Sequence, residues 1–184
     1  MGQDRQAALN RAIAVARSKG VDVNNAKFTD KTMYFVFDAK GKSNIVELID
    51  ADTKKIEGTT NFDGNTLNKG RYLVIDSLRV LGEDTATEFG KAKWKSELDP
   101  VSKNSELRIH QDGILVDMPV TDFHNEGQSS SNDDDFRDIV TAPIIMPETV
   151  YGFTWNFPKG QTVSNTLTSA LIRIEARCIQ IFTA

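Results

Sequence analysis

The stretch that decides the fold is Val150–Pro158, which reads Val-Tyr-Gly-Phe-Thr-Trp-Asn-Phe-Pro. Because strand side chains alternate between two faces, the aromatic rings at every second position share one face of a strand, whereas a helix would scatter them. Burial contributes about 1.5–3 kcal/mol for each ring, so the row supplies about 6–12 kcal/mol as an upper bound. We therefore predict a core strand. The four rings are Tyr151, Phe153, Trp155 and Phe157.

The aromatic row has an alternative interpretation as an exposed platform on which sugars or bases stack. Such a platform is expected to carry interleaved Arg or Lys side chains. The intervening positions are instead Gly152, Thr154 and Asn156. The residues therefore favour the interpretation of the row as core.

A second amphipathic strand is predicted over Ala170–Phe182, and we expect it to pair with the aromatic strand. Ile172, Ile174, Ala176 and Cys178 share one parity, whereas charged residues occupy the other. The apolar parity switches at Ile179 and Ile181, which predicts a bulge or a strand end that a neighbour buries on both faces. Two such strands need a second sheet to cover them, so the sequence predicts a β-sandwich.

Period-two patterns continue from residue 32 onward and predict eight or nine antiparallel strands with no strong helix between them. Thr32–Asp38 and Asn44–Asp50 flank a four-residue turn, so we predict that they form a hairpin. Glu106–His110 and Ile114–Val120 flank an Asp-Gly turn and predict a second hairpin. The fold class that follows is an all-β antiparallel sandwich.

Arg71–Leu81 is the longest strand candidate among the earlier segments and is apolar on both parities. Asp76 interrupts one parity and Arg79 the other. Such a two-sided strand is typical of a central position in a sheet, or of a strand that bends where its burial changes face.

The convincing helix in the sequence is Gln3–Lys19, which is rich in alanine and is followed by Gly20. Its arginines recur every six residues, about 120° apart around a helix, so they form no single basic face for a membrane or a nucleic acid. We predict a helix that docks on protein, either on its own body or on a neighbouring subunit. The predicted assembly residues are Leu9, Ala12, Ile13 and Ala16. Two domains are predicted: an arm with its linker over residues 1–30, and the sandwich over residues 31–184. Within the first, residues 21–30 form the linker.

The charge is distributed unevenly along the 184 residues. The net charge is −4, but residues 1–20 carry four basic side chains and one acidic one, so the remaining residues carry −7. This balance argues against a surface that binds nucleic acid throughout.

The single cysteine cannot form an internal disulfide, and no apolar run approaches the ~20 residues that span a bilayer. Because the opening residues are too polar for a signal peptide, we expect synthesis in a cytosol.

Candidate metal and catalytic residues are few. The run Asp133–Asp135, with Asp138, suggests calcium, but calcium loops place ligands at alternate positions and need a glycine for the bend. A solvated loop over residues 127–135 is therefore the favoured interpretation. His110 and His124 lack metal-binding spacing, and Cys178 falls on the apolar side of a strand.

The sequence also lacks a nucleophile elbow, a phosphate loop and a dinucleotide fingerprint. We predict that the chain is not an enzyme and uses neither cofactor nor metal.

The order of parts resembles a single jelly-roll structural protein of a virus particle, most similar to those of bacteriophages. The resemblance covers residues 32–184 in outline, after a helical arm rich in small residues. It rests on residues 59–67, Tyr72–Val80, Val150–Pro158 and Leu171–Phe182. It implies a jelly-roll sandwich that forms a shell with copies of itself and other virion proteins, is made in the host cytoplasm and is located in the virion. A strongly basic arm that binds the genome is absent from this sequence, so direct contact with nucleic acid is doubtful.

Other functions remain open on the same fold. The first alternative is a β-sandwich module that binds a carbohydrate or another small ligand. A hydrolase with paired carboxylates on facing strands is a more distant one.

Overall fold

A computed structural model of the chain describes residues 5–124 and 136–183. In these ranges the chain forms a helix α1, a single-turn helix α2 and nine strands, besides two short 3₁₀ turns. The helices are α1 Arg5–Ser18 and α2 Pro100–Lys103. The strands are β1 Lys27–Asp38, β2 Ile45–Glu47, β3 Arg71–Glu83, β4 Glu106–His110, β5 Ile114–Pro119, β6 Arg137–Asp138, β7 Ile144–Ile145, β8 Gly152–Asn156 and β9 Leu171–Phe182.

The strands form two antiparallel sheets. Sheet A has the order β1-β9-β3-β6, and β7 also pairs with β3. Sheet B has the order β2-β8-β4-β5. The protein is therefore an all-β sandwich with a short N-terminal helix, as the period-two patterns predicted.

The antiparallel pairs are nested along the chain. β1 pairs with β9, β2 with β8, β3 with β6 and β7, and β4 with β5. Each pair encloses the next, as in one long hairpin that is rolled into two sheets. The chain therefore alternates between sheet A and sheet B from β1 to β4.

The core lies between the two sheets and contains the aromatic row of β8. Phe153 and Trp155 are fully buried. The ring centroid of Phe153 lies 5.2 Å from that of Phe35, and the ring centroid of Trp155 lies 5.3 Å from that of Phe37, both with edge-to-face geometry. The interpretation of this row as core is confirmed.

The predicted pairing of β8 with β9 is wrong. β8 lies between β2 and β4 in sheet B, whereas β9 lies between β1 and β3 in sheet A. Their apolar faces meet across the core instead of lying side by side. The period-two pattern fixes which face of each strand is buried, but it does not fix the neighbouring strand.

The predicted hairpin of β1 with β2 is also wrong. The turn exists, since the N–H of Lys42 donates to the carbonyl of Ala39 at 2.9 Å, but it carries the chain from sheet A to sheet B. β1 begins within the predicted linker, because residues 27–30 pair with residues 179–182 of β9. The predicted hairpin of β4 and β5 is confirmed, with Asp112 at φ 54° in its turn.

The expectation for the two-sided strand β3 is confirmed. β3 is central in sheet A, and a β-bulge at Asp76 reverses which side of the strand faces the core. Leu73 and Ile75 face the core before the bulge, and Leu78 and Val80 face it afterwards. At the end of β9, α1 buries Ile179 and Ile181 on the outer side, whereas Gln180 and Phe182 of the other parity stay partly exposed.

Candidate functional site

The predicted assembly residues lie on the side of α1 that packs against sheet A. Ala12 and Ala16 are buried in a cluster with Val74 of β3 and with Ile179 and Ile181 of β9. Small side chains allow the helix to approach the sheet closely. Leu9 and Ile13 pack at the margin of this cluster and stay partly exposed. The arm therefore contacts its own body, and a contact with another subunit stays a prediction.

An ion pair fixes the helix over the bulge of β3. The side chain of Asp76 is 3% exposed, and its Oδ1 accepts from Nη2 of Arg11 at 2.6 Å. Nη1 of Arg5 lies 3.7 Å from Oδ2 of the same carboxylate, and Arg5 also pairs with Asp30. A buried carboxylate without a neighbouring cation is strongly destabilising. The arginines of α1 therefore allow the helix to cover Asp76 at the bulge of β3.

Beyond the helix, the outer face of sheet A carries three arginines, which we call the arginine ladder: Arg79, Arg173 and Arg177. Glu175 accepts from Nε of Arg79 at 2.7 Å and from Nε of Arg173 at 2.6 Å. The guanidinium groups of Arg79 and Arg177 lie 4.4 and 3.8 Å from the ring centroid of Phe136. In these cation–π contacts the face of the ring attracts the two guanidinium groups and partly offsets their positive charge.

Trp94, which lies in the long polar excursion after β3, also contacts this ladder. Its ring centroid lies 5.8 Å from the guanidinium of Arg173, which stands 4.1 Å from the ring of Tyr34. The excursion therefore folds back over the outer face of sheet A.

The two histidines and the cysteine lie in different surroundings. His110 stands on the outer face of sheet B, whereas Nδ1 of His124 lies 3.1 Å from the carbonyl of Val80 in sheet A. Burial lowers the pKa of His124. Cys178 is buried in the core, and its burial raises the pKa of the thiol to about 12, so it is not an activated nucleophile.

Gly152 has a structural role beneath His110. A Cβ at this position would clash with the imidazole ring of His110. The same ring reaches across β8 toward β2, where its Nε2 lies 3.8 Å from a carboxylate oxygen of Glu47. Glycine therefore allows the His110 side chain to lie flat on sheet B.

Two cavities lie toward opposite ends of sheet A. Leu171 and Ile172 line one cavity, and Gln180 lines the other. Gln180 lies about 26 Å from Ile172 along β9, at the usual rise of a strand. The two cavities differ in charge: the first is lined by carboxylates and apolar side chains, and the second by cations and amides.

The acidic pocket has a volume of about 230 Å³. Burial alone would raise the pKa of Glu83, but hydrogen bonds from the Thr85 hydroxyl and from nearby backbone N–H groups lower it to about 2. Asp84 accepts from the hydroxyl of Ser96 at 2.6 Å, and Asp99 accepts from the N–H of Val101 at 2.9 Å as the N-cap of α2. These carboxylates stabilise turns.

The cationic pocket has a volume of about 270 Å³, and its three cations come from three separated regions. β1 supplies Lys31, the loop after β2 supplies Lys55, and the start of β3 supplies Arg71. Tyr151 and Gln180 also line it, before β8 and near the end of β9. The pocket is not predictable from the sequence, because its cations share no local motif.

Within residues 5–124 and 136–183, no three His, Cys, Asp or Glu side chains are grouped so as to hold a metal ion. The run Asp133–Asp135, considered above for calcium, lies outside the described residues. No helix in the same ranges is long and apolar enough to cross a membrane.

The sequence matches no protein-family model, and a search of curated proteins finds no significant match.

Proposed function

We propose that this chain is a structural subunit of a virus particle, of the kind that forms bacteriophage shells, and that it acts by self-association without catalysis. The observation that carries the proposal is the nested pairing of strands in two four-stranded paths, β1-β9-β3-β6 and β2-β8-β4-β5. If β6 and β7 are counted as one interrupted strand beside β3, this is the order expected for a jelly roll of eight strands. Viral capsid proteins use that fold, although lectins and cupins use it as well.

The helix gives the proposal a candidate contact. Ala12 and Ala16 are used within the chain, whereas Leu9 and Ile13 keep part of their apolar surface open beside them. A neighbouring subunit that covered these two side chains would extend the cluster that α1 already forms with sheet A. The predicted partners are therefore copies of this chain and other virion proteins.

Electron microscopy of the purified full chain tests this function. Closed shells, rings or sheets with a regular repeat are the expected result, because symmetric subunits assemble through repeated contacts. A field of separate particles of the size of one chain, at concentrations at which shell proteins assemble, would contradict the proposal.

The second candidate function is a ligand-binding module, and the cationic pocket favours it. A concave pocket with several convergent polar groups is typical of a small-molecule site. A glycan array tests the carbohydrate version of this function. Specific binding by a protein that stays monomeric would favour the module over the shell subunit.

A further inference from the structure

The cationic pocket concentrates positive charge in a protein whose net charge is negative. Among the residues that line it, Asp63 alone carries a carboxylate, and its Oδ1 already accepts the backbone N–H of Lys55 at 2.8 Å. In the described part of the chain, Lys31, Lys55 and Arg71 form no ion pair with a carboxylate. The three cations repel one another, and an anion between them would remove that repulsion.

Lys31 is the least exposed of the three cations. It occupies the core-facing parity of β1, opposite Cys178 of β9, and is only half-exposed. Burial lowers its pKa, and the charges of Arg71 and Lys55 lower it further. A bound anion would offset both effects, because an opposite charge nearby favours the charged form of the amine.

The other side chains around the pocket indicate which anion fits. Arg71 presents a planar fork of N–H donors that matches two oxygens of a phosphate, and the lysines add point charges. Asn68 and Gln180 add amide groups to the lining, and Tyr151 adds a hydroxyl. A tetrahedral oxyanion offers acceptors in several directions and can use such a surrounding set of donors.

Not every amide that lines the pocket is available. Oδ1 of Asn61 accepts the N–H of Tyr34 at 2.9 Å, and Nδ2 of Asn61 donates to the carbonyl of Thr32 at 2.5 Å. Asn61 thus covers the edge of β1 and shapes the pocket wall, which leaves the cations as the main recognition groups.

We propose that the cationic pocket binds a phosphate-type oxyanion, either as free phosphate or as the phosphate group of a nucleic acid. Lys31, Lys55 and Arg71 supply the charge, and the amide groups supply further donors. The three cations are brought together only by the fold, so the site exists in the folded chain and not in any local peptide. This site does not depend on the self-association proposed above.

Isothermal titration calorimetry of the full chain with inorganic phosphate, at constant ionic strength and neutral pH, tests the site. The pocket variants are Lys31→Met and Arg71→Gln. The matched control is Lys40→Met, because Lys40 is also half-exposed but lies past the other end of β1 and outside the pocket. We expect saturable binding by the unaltered chain and the control, and binding weaker by about tenfold or more for each pocket variant.

Thermal unfolding of each protein shows whether it is folded before titration. If Lys31→Met does not unfold cooperatively, the exposed Lys55→Gln takes its place. The absence of saturable binding by the unaltered chain, or equal affinities in all variants, would overturn the proposal.

A short single-stranded oligonucleotide then distinguishes the two sources of the anion. If the oligonucleotide competes with phosphate for the unaltered chain but not for Arg71→Gln, the site is assigned to a nucleic-acid phosphate. Phosphate binding without competition would assign it to a free oxyanion.

Discussion

Sheet A and sheet B enclose one core, but their outer faces differ. β3 and β9 of sheet A have 13 and 12 residues, and α1 covers the outer face at one end. The longest strand of sheet B, β5, has six residues. The outer face of sheet B carries short polar side chains, the His110 ring over Gly152 and an ion pair of 3.0 Å between Arg108 and Asp117.

The difference shows that the side chains of an outer face match, in charge and polarity, the part of the chain that packs against them. Along the outer side of β9, Arg173, Glu175 and Arg177 lie where Trp94 and Phe136 contact the arginines, whereas Ile179 and Ile181 lie under α1. The change from charged to apolar residues occurs within one continuous strand. The switch of parity in the sequence therefore marks the edge of the helix and not an irregularity of β9.

The largest effect is expected where the two sheets meet. Trp155→Ala removes a fully buried indole from the core side of sheet B and should destabilise the protein by about 3–5 kcal/mol, as aromatic cavities do. Chemical denaturation measures this. The control is Ile45→Ala on the outer face of the same sheet, where the side chain is 68% exposed and the expected change is within about 0.5 kcal/mol. A Trp155→Ala protein with an unchanged unfolding midpoint would contradict the assignment of the row to the core.

An intermediate effect is expected on the outer face of sheet B. Gly152→Ala should destabilise by about 1–3 kcal/mol, because the added methyl group displaces the imidazole of His110. Adding His110→Ala to this variant should recover most of the loss, since it removes the clashing ring. A double variant no more stable than Gly152→Ala would show that the clash is not the cause.

The smallest effect is expected beneath α1. Arg11→Met leaves the buried Asp76 with Arg5 at 3.7 Å, and we expect a loss of about 1–2 kcal/mol, reduced by the remaining arginine. Arg17→Met is the matched control, because Arg17 is exposed one repeat further along the helix, and its effect should stay within about 0.5 kcal/mol. Equal unfolding midpoints for the two variants would show that the ion pair contributes nothing to the docking of α1.

Features encoded by neighbouring residues could be predicted from the sequence. The hairpin of β4 and β5 depends on the local turn at Asp112-Gly113, and α1 on a run of alanines before Gly20. The two-sided character of β3 was visible in the positions of Asp76 and Arg79. These signals lie within one element, where side-chain period and turn chemistry act directly.

Pairing between distant segments could not be predicted in the same way. β8 and β9 each show one apolar face, which is equally compatible with lying side by side and with packing across the core. The cationic pocket is harder still, since Lys31, Lys55 and Arg71 belong to three separate segments. Only the rolled arrangement of both sheets brings them together.

The measurement that tests the central claim most directly is sedimentation velocity of the full chain over a wide range of concentration. The account predicts oligomers that grow with concentration and that weaken in the double variant Leu9→Asn/Ile13→Asn, whose substitutions lie beside the buried cluster of α1. The control is Ala7→Asn/Ala14→Asn on the exposed side of the same helix, and it should assemble normally. Circular dichroism confirms that both variants keep their strands. A full chain that sediments as a monomer at every concentration would contradict self-association, and equal oligomers in both variants would contradict the role of the helix.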